Sequence, residues 1–240
     1  METMKCVAVI SGGIDSICYA IYNKKLGYKI CPIIFKYGQK GSREVDVAVK
    51  LCKELGFLTP LVLDISFMKE LWIGNQLTDE EVDVEKEYTP SVVVPLRNAV
   101  FLTIASAYAL VVRAKRVIYG SHLDDCFPSK EENNFYFAIY PDCSPEFIQA
   151  LETALRLGSF RFERDFEIWS PAREGLTKQQ NLRRAYEILK KEGKEKLLYE
   201  TWSCYKSGEK QCGTCESCRN RKKAFKEAGI PDLTEYEVEE

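Results

Sequence analysis

Near its N-terminus the chain passes from the apolar run Cys6-Val7-Ala8-Val9-Ile10 into Ser11-Gly12-Gly13-Ile14-Asp15-Ser16. A helical pattern, Ile17, Tyr19, Ala20 and Ile21, follows at once. The order is strand, tight turn, helix N-terminus. Glycines let such a turn close sharply and bring backbone near a ligand. The free N–H groups of the first helical turn, with the helix dipole, favour an anion there. Ser11 and Ser16 add hydroxyl donors, and no Lys stands in the turn, so the common nucleotide phosphate loop is a different device. An ordinary Gly-rich strand-to-helix turn is the competing reading.

The rest of the chain repeats the alternation. Strands are expected at Lys5–Ile10, Lys29–Lys36, Leu61–Leu63, Arg116–Tyr119 and Glu167–Trp169. Helices are expected at Asp15–Leu26, at Ser42–Leu55 with Ser42 as N-cap, and at Asn98–Ala114, apolar nearly all round and hence buried. Two more follow at Pro145–Leu157, capped by Ser144, and Thr177–Lys191, capped by Thr177. Phe67–Tyr88 reads as a helix followed by a loop or lid, Gly120–Ser144 lacks periodicity, and the acidic tail Pro231–Glu240 reads as frayed. Short apolar strands alternating with helices specify an α/β fold, a parallel twisted sheet with helices on both faces in the Rossmann-like manner. Ligands in such sheets bind beyond the carboxyl ends of the strands. The loops Ser11–Ser16, Tyr37–Lys40 and Gly120 onward all follow strands.

The 240 residues carry a formal charge of −2, which argues against a strongly electrostatic nucleic-acid surface. The apolar run between Asn98 and Arg113 is too short to span a bilayer. With no secretion signal visible at Met1–Lys5, the expected compartment is the reducing cytoplasm.

Cys6, Cys18, Cys31, Cys52, Cys126 and Cys143 are scattered, the first four in core-like contexts; Cys204, Cys212, Cys215 and Cys218 crowd into fifteen residues. Four thiolates at that spacing complete a closed tetrahedral Zn2+ shell, a structural site. An iron–sulfur cluster and a redox dithiol at Cys212 and Cys215 are the alternatives. Arg219, Arg221, Lys222 and Lys223 follow, as a solvated helix face or a contact to ATP phosphates or a second subunit.

Ser-Gly-Gly-x-Asp-Ser resembles the pyrophosphate-binding loop of the N-type ATP pyrophosphatases, which release pyrophosphate and adenylate an oxygen of their substrate. Further motifs occur in order: Phe35-Lys36-Tyr37-Gly38-Gln39, Leu96-Arg97-Asn98, Tyr140-Pro141-Asp142-Cys143-Ser144-Pro145-Glu146-Phe147, Leu176-Thr177-Lys178 and Thr201-Trp202-Ser203-Cys204-Tyr205. Over nearly its whole length the chain resembles the 7-cyano-7-deazaguanine synthase family of the queuosine pathway.

The resemblance implies an adenine nucleotide α-hydrolase-like domain over 1–200, a four-cysteine zinc-binding helical appendage over 201–230 and a tail over 231–240. It implies a homodimer with structural Zn2+, and ATP with Mg2+ as cofactor. The substrate would be 7-carboxy-7-deazaguanine, adenylated, amidated by ammonia, then dehydrated to the nitrile with a second ATP. The ATP site would comprise Ser11, Gly12, Gly13, Ile14, Asp15, Ser16, Phe35, Tyr37 and Gln39. Ser11, Asp15, Ser16 and Lys178 would be catalytic, Asp15 capping its helix or helping to hold Mg2+. Arg97, Asn98, Asp142 and Glu146 would bind substrate. Arg97 suits a carboxylate or phosphate, or a buried structural ion pair. Asp142 would read the base, or serve as a turn or cap residue, and Asn98 could simply cap its helix. His122, the sole histidine, lies in a loop on the expected substrate side.

The family's Tyr-Gly-Gln-Arg-His is Tyr37-Gly38-Gln39-Lys40-Gly41 here, its Gly-Arg-Asn is Leu96-Arg97-Asn98, and the segment 120–140 is longer. These departures keep two other functions in view. One is a paralogue that joins the activated carboxylate to another amine or to a protein partner. The other is a nucleotide-binding or tRNA-modifying ATP pyrophosphatase.

Overall fold

The computed structural model describes residues 4–41, 43–79, 81–83, 93–126, 128–132, 135–138, 140–159 and 165–238. Its strands are β1 (Lys5–Val9), β2 (Lys29–Lys36), β3 (Leu61–Asp64), β4 (Arg116–Ile118), β5 (Pro128–Glu132), β6 (Phe135–Ala138) and β7 (Glu167–Trp169). All but β5 and β6 form a five-stranded, all-parallel central sheet in the order β3-β2-β1-β4-β7. The helices are α1 (Ile14–Lys25), α2 (Arg43–Glu54), α3 (Arg97–Val112), α4 (Pro145–Gly158), α5 (Lys178–Lys191) and α6 (Glu216–Ala228). Alternation along the strands sorts the core into two layers. Cys6 and Ala8 of β1 with Ile30 and Ile34 of β2 pack against α1, α2, α5 and α6. Val7, Cys31, Ile33 and Phe35 face the other way, onto α3 and α4. All four strand residues of each set are buried, so both sheet faces lose their apolar area to helices.

The chain lays down β1, β2 and β3 towards one edge, then crosses back to place β4 on the other side of β1. Strand order therefore reverses between β1 and β4. The loops after these two strands part there and leave a crevice.

Several local expectations change in three dimensions. Helix α3 is buried along one face only: Leu102, Ala105 and Ala109 are inside, while Leu110 and Val111 are exposed. Its sequence lacks a polar side, so periodicity could not reveal the open face. In place of the helix expected from Phe67 there is a 3-10 turn, Ser66–Leu71, followed by further turns. Residues 80 and 84–88 of that expected segment, and the Ser42 cap, lie outside the described residues. The aperiodic segment contains the antiparallel hairpin of β5 and β6, closed at its base by Tyr140 N–H donating to Asp125 C=O at 3.0 Å. Ser144 caps α4 as expected, accepting from Phe147 N–H. At α5 the reciprocal half of the cap is made, with Gln180 accepting from Thr177 N–H.

The tail expected to fray is docked over its described residues, 231–238. Tyr236 bridges to Gln211, and Thr234 meets Arg221. Arg221, expected on a solvated face, is fully buried; it also bonds Thr201 and the carbonyl of Leu198. A buried guanidinium is tolerable only with its donors satisfied in this way.

Leu96, immediately before α3, has φ 54° and ψ 19°. That left-handed geometry costs an L-residue with a Cβ roughly 1–2 kcal/mol, and the side chain is 67% exposed and recovers little by packing. Leu96→Gly is expected to stabilise the protein by about 1 kcal/mol, offset in part by unfolded-state entropy. Thermal unfolding should show a Tm higher by roughly 2–4 °C.

Candidate functional site

The turn after β1 is organised by its two serines. Ser16 Oγ accepts from Ser11 N–H at 3.2 Å and donates to Gly13 C=O at 3.2 Å. Ser11 Oγ meets Ser16 Oγ at 3.2 Å and accepts from Gly13 N–H at 3.2 Å. The first turn of α1, whose N–H groups have no intrahelical partners, borders the crevice through Asp15 and Ser16. Two glycines make this packing possible. Gly12 sits at φ +84°, where a Cβ would collide with the Glu44 carbonyl. A Cβ on Gly120, just past β4, would lie 2.6 Å from Ser16 N.

A cavity of about 550 Å3 opens at this point. Ser11, Gly13, Asp15 and Ser16 form one wall, and Tyr37, Arg97, Asn98 and Asp142 another. That volume falls in the range of small-ligand sites. Lys178 reaches across from α5 and pairs with Asp15 at 2.7 Å. Burial alone would raise the Asp15 carboxyl, but the Lys178 and His122 charges outweigh it and hold the group below its ordinary range. Asp15 is thus the partner of Lys178, and Gly13 occupies the cap position of α1.

In the second wall, Asp142 Oδ2 accepts from Asn98 N–H at 3.2 Å. Asp142 thereby serves the start of α3 while bordering the cavity, and Asn98 lies within the helix, not at its cap. Asn98 Nδ2 reaches Cys143 Sγ at 3.4 Å. Arg97 lies with its guanidinium carbon 5.7 Å from the Tyr37 ring centre and donates to the Tyr37 hydroxyl at 3.4 Å.

Five expected residues stand back from the cavity wall, the first of them Gly12, which the Glu44 carbonyl crowds from behind. Phe35 is buried and stacked on Phe101 at 4.4 Å; Ile14 is core. Gln39 folds onto its own loop, accepting from Tyr37 N–H and donating to Glu44 Oε1, both at 2.9 Å. Glu146 is exposed on the first turn of α4. The sequence reading passed over Glu44, Asp124, Asp125 and Tyr119, all of which line the cavity. Glu44 could have been suspected from its place one turn after the Gln39 loop. Asp124 and Asp125 stand in an aperiodic stretch with no local signal.

Glu44 is held half in protein, and burial pushes its carboxyl up to about 7 against the opposing pull of Gln39 and Arg97. Raised in the folded state, it contributes stability below its ordinary value of 4.5 that is lost as pH climbs towards 7. The Tm advantage of Glu44→Gln over the parent should therefore grow across that window and level off above it, as read by thermal melts of the ligand-free protein in a pH series.

The four cysteines converge, with their sulfurs all within 4.8 Å of one another and all four side chains buried. The Cys212–Cys218 separation is 3.9 Å. A tetrahedral shell with metal–sulfur bonds of about 2.3 Å has edges of about 3.8 Å, so the set fits a four-thiolate zinc site. Backbone N–H groups of Lys206 and Cys212 point at Cys204 Sγ at 3.3 and 3.4 Å, and Cys215 N–H points at Cys212 Sγ at 3.3 Å. Such donors stabilise thiolates.

This element rests directly on the serine loop. Trp202 N–H donates to Gly12 C=O at 2.9 Å, and its indole N–H donates to Cys204 C=O at 3.0 Å. Arg43 covers the indole at 4.6 Å. Cys215→Ser is expected to lower metal content by elemental analysis and Tm together. Loss of activity at full metal content and unchanged Tm would make the cluster catalytic instead.

Among the described residues no helix is long and apolar enough to cross a membrane. The profile of the family described as "Queuosine biosynthesis protein QueC" matches residues 5–229. A 7-cyano-7-deazaguanine synthase of Caldicellulosiruptor bescii is 40% identical over 98% of this chain and 99% of its own. A second, from Caldicellulosiruptor saccharolyticus, is 37% identical over 98% and 97%. That of Thermoplasma acidophilum is 36% identical over 99% and 94%. A match of this length, carried by a chain that places its serine loop and its four cysteines against one another, is decisive: the protein belongs to the QueC family of queuosine biosynthesis proteins.

Proposed function

We propose that this protein is a 7-cyano-7-deazaguanine synthase. It adenylates the carboxylate of 7-carboxy-7-deazaguanine with ATP, replaces AMP by ammonia to give the amide, and dehydrates the amide with a second ATP. The observation that carries the reading is one cavity lined both by the serine-glycine turn, through Ser11, Gly13, Asp15 and Ser16, and by a polar wall that holds Arg97 and Asp142.

Adenylation is in-line attack on the α-phosphate, with charge gathering on the departing pyrophosphate. Ser11, Ser16, the N–H groups at the start of α1 and the Lys178 ammonium are the donors for that charge. Donors fixed before reaction contribute several kcal/mol because they need no reorganisation. Tyr37 borders the nucleotide side. Arg97 suits the substrate carboxylate, and the carboxylate of Asp142 suits the adjacent N–H and amino groups of a guanine-like base. Mg2+ would enter on the phosphates of ATP, and the four cysteines would hold Zn2+ as a structural ion. The exposed apolar residues Leu110 and Val111 of α3 support a homodimer. A cysteine set placed for metal and a need for ATP support a cytoplasmic enzyme.

Mass spectrometry of the product formed from Mg-ATP, 7-carboxy-7-deazaguanine and ammonium tests this. Nitrile with two AMP per product is expected; amide alone would point to a paralogue with another amine acceptor. Ser11→Ala should slow AMP release by roughly 10²–10³, and Asp142→Asn should act mainly on the KM of the base.

A further inference from the structure

The amide and nitrile steps both have to remove protons from nitrogen, and none of the groups assigned above does so. His122 stands where such a proton acceptor is required. It follows β4 at the reversal of strand order and lines the cavity, yet is only 7% exposed. Its Nδ1 is buried without a hydrogen-bond partner. Asp124 and Asp125 bring carboxylate oxygens to 3.4 and 3.5 Å from Nδ1, and Asp15 Oδ1 lies 3.8 Å from Nε2. The Nδ1 edge of the ring is thus turned to two carboxylates and its Nε2 edge to the loop that carries Asp15.

We infer that His122 is the general base that takes the nitrogen protons during amidation and dehydration, with Asp124 and Asp125 stabilising the imidazolium that results. The inference rests on the synthase reading above. The pyrophosphate of ATP belongs in the serine loop, so the α-phosphate and the carbon bonded to it through oxygen lie just outside. His122 flanks that position, beside Asp15 on the first turn of α1. With Nδ1–H turned to Asp124 and Asp125, Nε2 presents its lone pair on the loop side.

In the first step ammonia attacks the acyl carbon and a C–N bond forms. The C–O bond to AMP breaks, AMP leaves with the electron pair, and one N–H proton passes to Nε2. In the second step the amide oxygen attacks the α-phosphate of a new ATP and pyrophosphate leaves, with one amide N–H proton taken up. The C–O bond to AMP then breaks as nitrogen forms its third bond to carbon, and the last N–H proton is taken up. After each uptake the imidazolium returns its proton to solvent through the cavity, so that the ring is free again for the next step.

The two acidic neighbours are already fixed. Asp125 Oδ2 accepts from His122 N–H at 3.1 Å, and Asp124 Oδ2 accepts from Lys178 N–H at 2.7 Å. Burial raises the Asp125 carboxyl, against the pull of His122 and its N–H. The charged groups facing the imidazole are thus Asp15 from α1, Lys178 from α5, and Asp124 and Asp125 from its own turn.

The test separates adenylation, which moves no proton, from the later steps. In His122→Gln, carboxylate-dependent exchange of pyrophosphate into ATP should stay within about threefold of the parent. Amide and nitrile formation should fall by roughly 10²–10⁴, the range for general-base removal. Added imidazole should restore part of the lost rate in the variant. An unchanged Tm shows that the fold is kept; His122→Asn serves as the second variant if Gln does not fold. Equal losses of exchange and amidation with no imidazole rescue, or no loss at all, would overturn the inference. A parent enzyme that forms adenylate but neither amide nor nitrile would overturn the synthase reading, and this inference with it.

Discussion

The bond from Trp202 N–H to Gly12 C=O, 2.9 Å long, is the contact on which the candidate site depends. It fixes the serine loop from outside the sheet. A glycine pair between a strand and a helix is free to turn, and freedom of that kind is entropy to be lost when a ligand binds. The four-cysteine element removes it beforehand. Trp202 is held by Cys204 C=O on one side and by the Arg43 guanidinium on the other. Arg221 and the docked tail brace the same segment from behind. A metal at the cysteines would thus act on the loop mechanically, without touching substrate.

The second constraint is electrostatic. Where the strand order reverses, α1, α5 and the turn after β4 bring Asp15, Lys178, Asp124, Asp125 and His122 into one cluster. The Lys178 ammonium and the backbone N–H groups of His122 and Lys178 each serve a carboxylate, and the imidazole Nδ1 is what remains unserved. The opposite wall is arranged in the same way. Asp142 caps α3 through Asn98 and still borders the cavity, and Gln39 trims the loop that sets Tyr37 and Glu44. Such double use explains why the site needs few residues beyond those that hold the fold.

Much of the fold was legible because its signals are local. Each strand-turn-helix unit is written in consecutive residues, and so is the spacing of Cys204, Cys212, Cys215 and Cys218. The failures have equally local causes. Helix α3 has no polar face to mark its solvent side. The hairpin at Pro128–Ala138 pairs a charged strand with an aromatic one and shows no alternation in either. Phe35 reads as a ligand-framing aromatic from its place at a strand end, but the pleat turns it into the core against Phe101.

Local sequence was enough to specify the alternating α/β architecture, the glycine-rich strand-to-helix turn and the four-cysteine cluster, since each depends on neighbours within a few residues. Which distant groups meet was left to the packing of the whole chain. Lys178 finds Asp15 across 163 residues, and Asp142 finds Asn98 across 44. Those meetings follow from the crossover that places β4 beside β1 and from the packing of α5 on α1. Both are consequences of burying two sheet faces at once, a condition that no single segment carries.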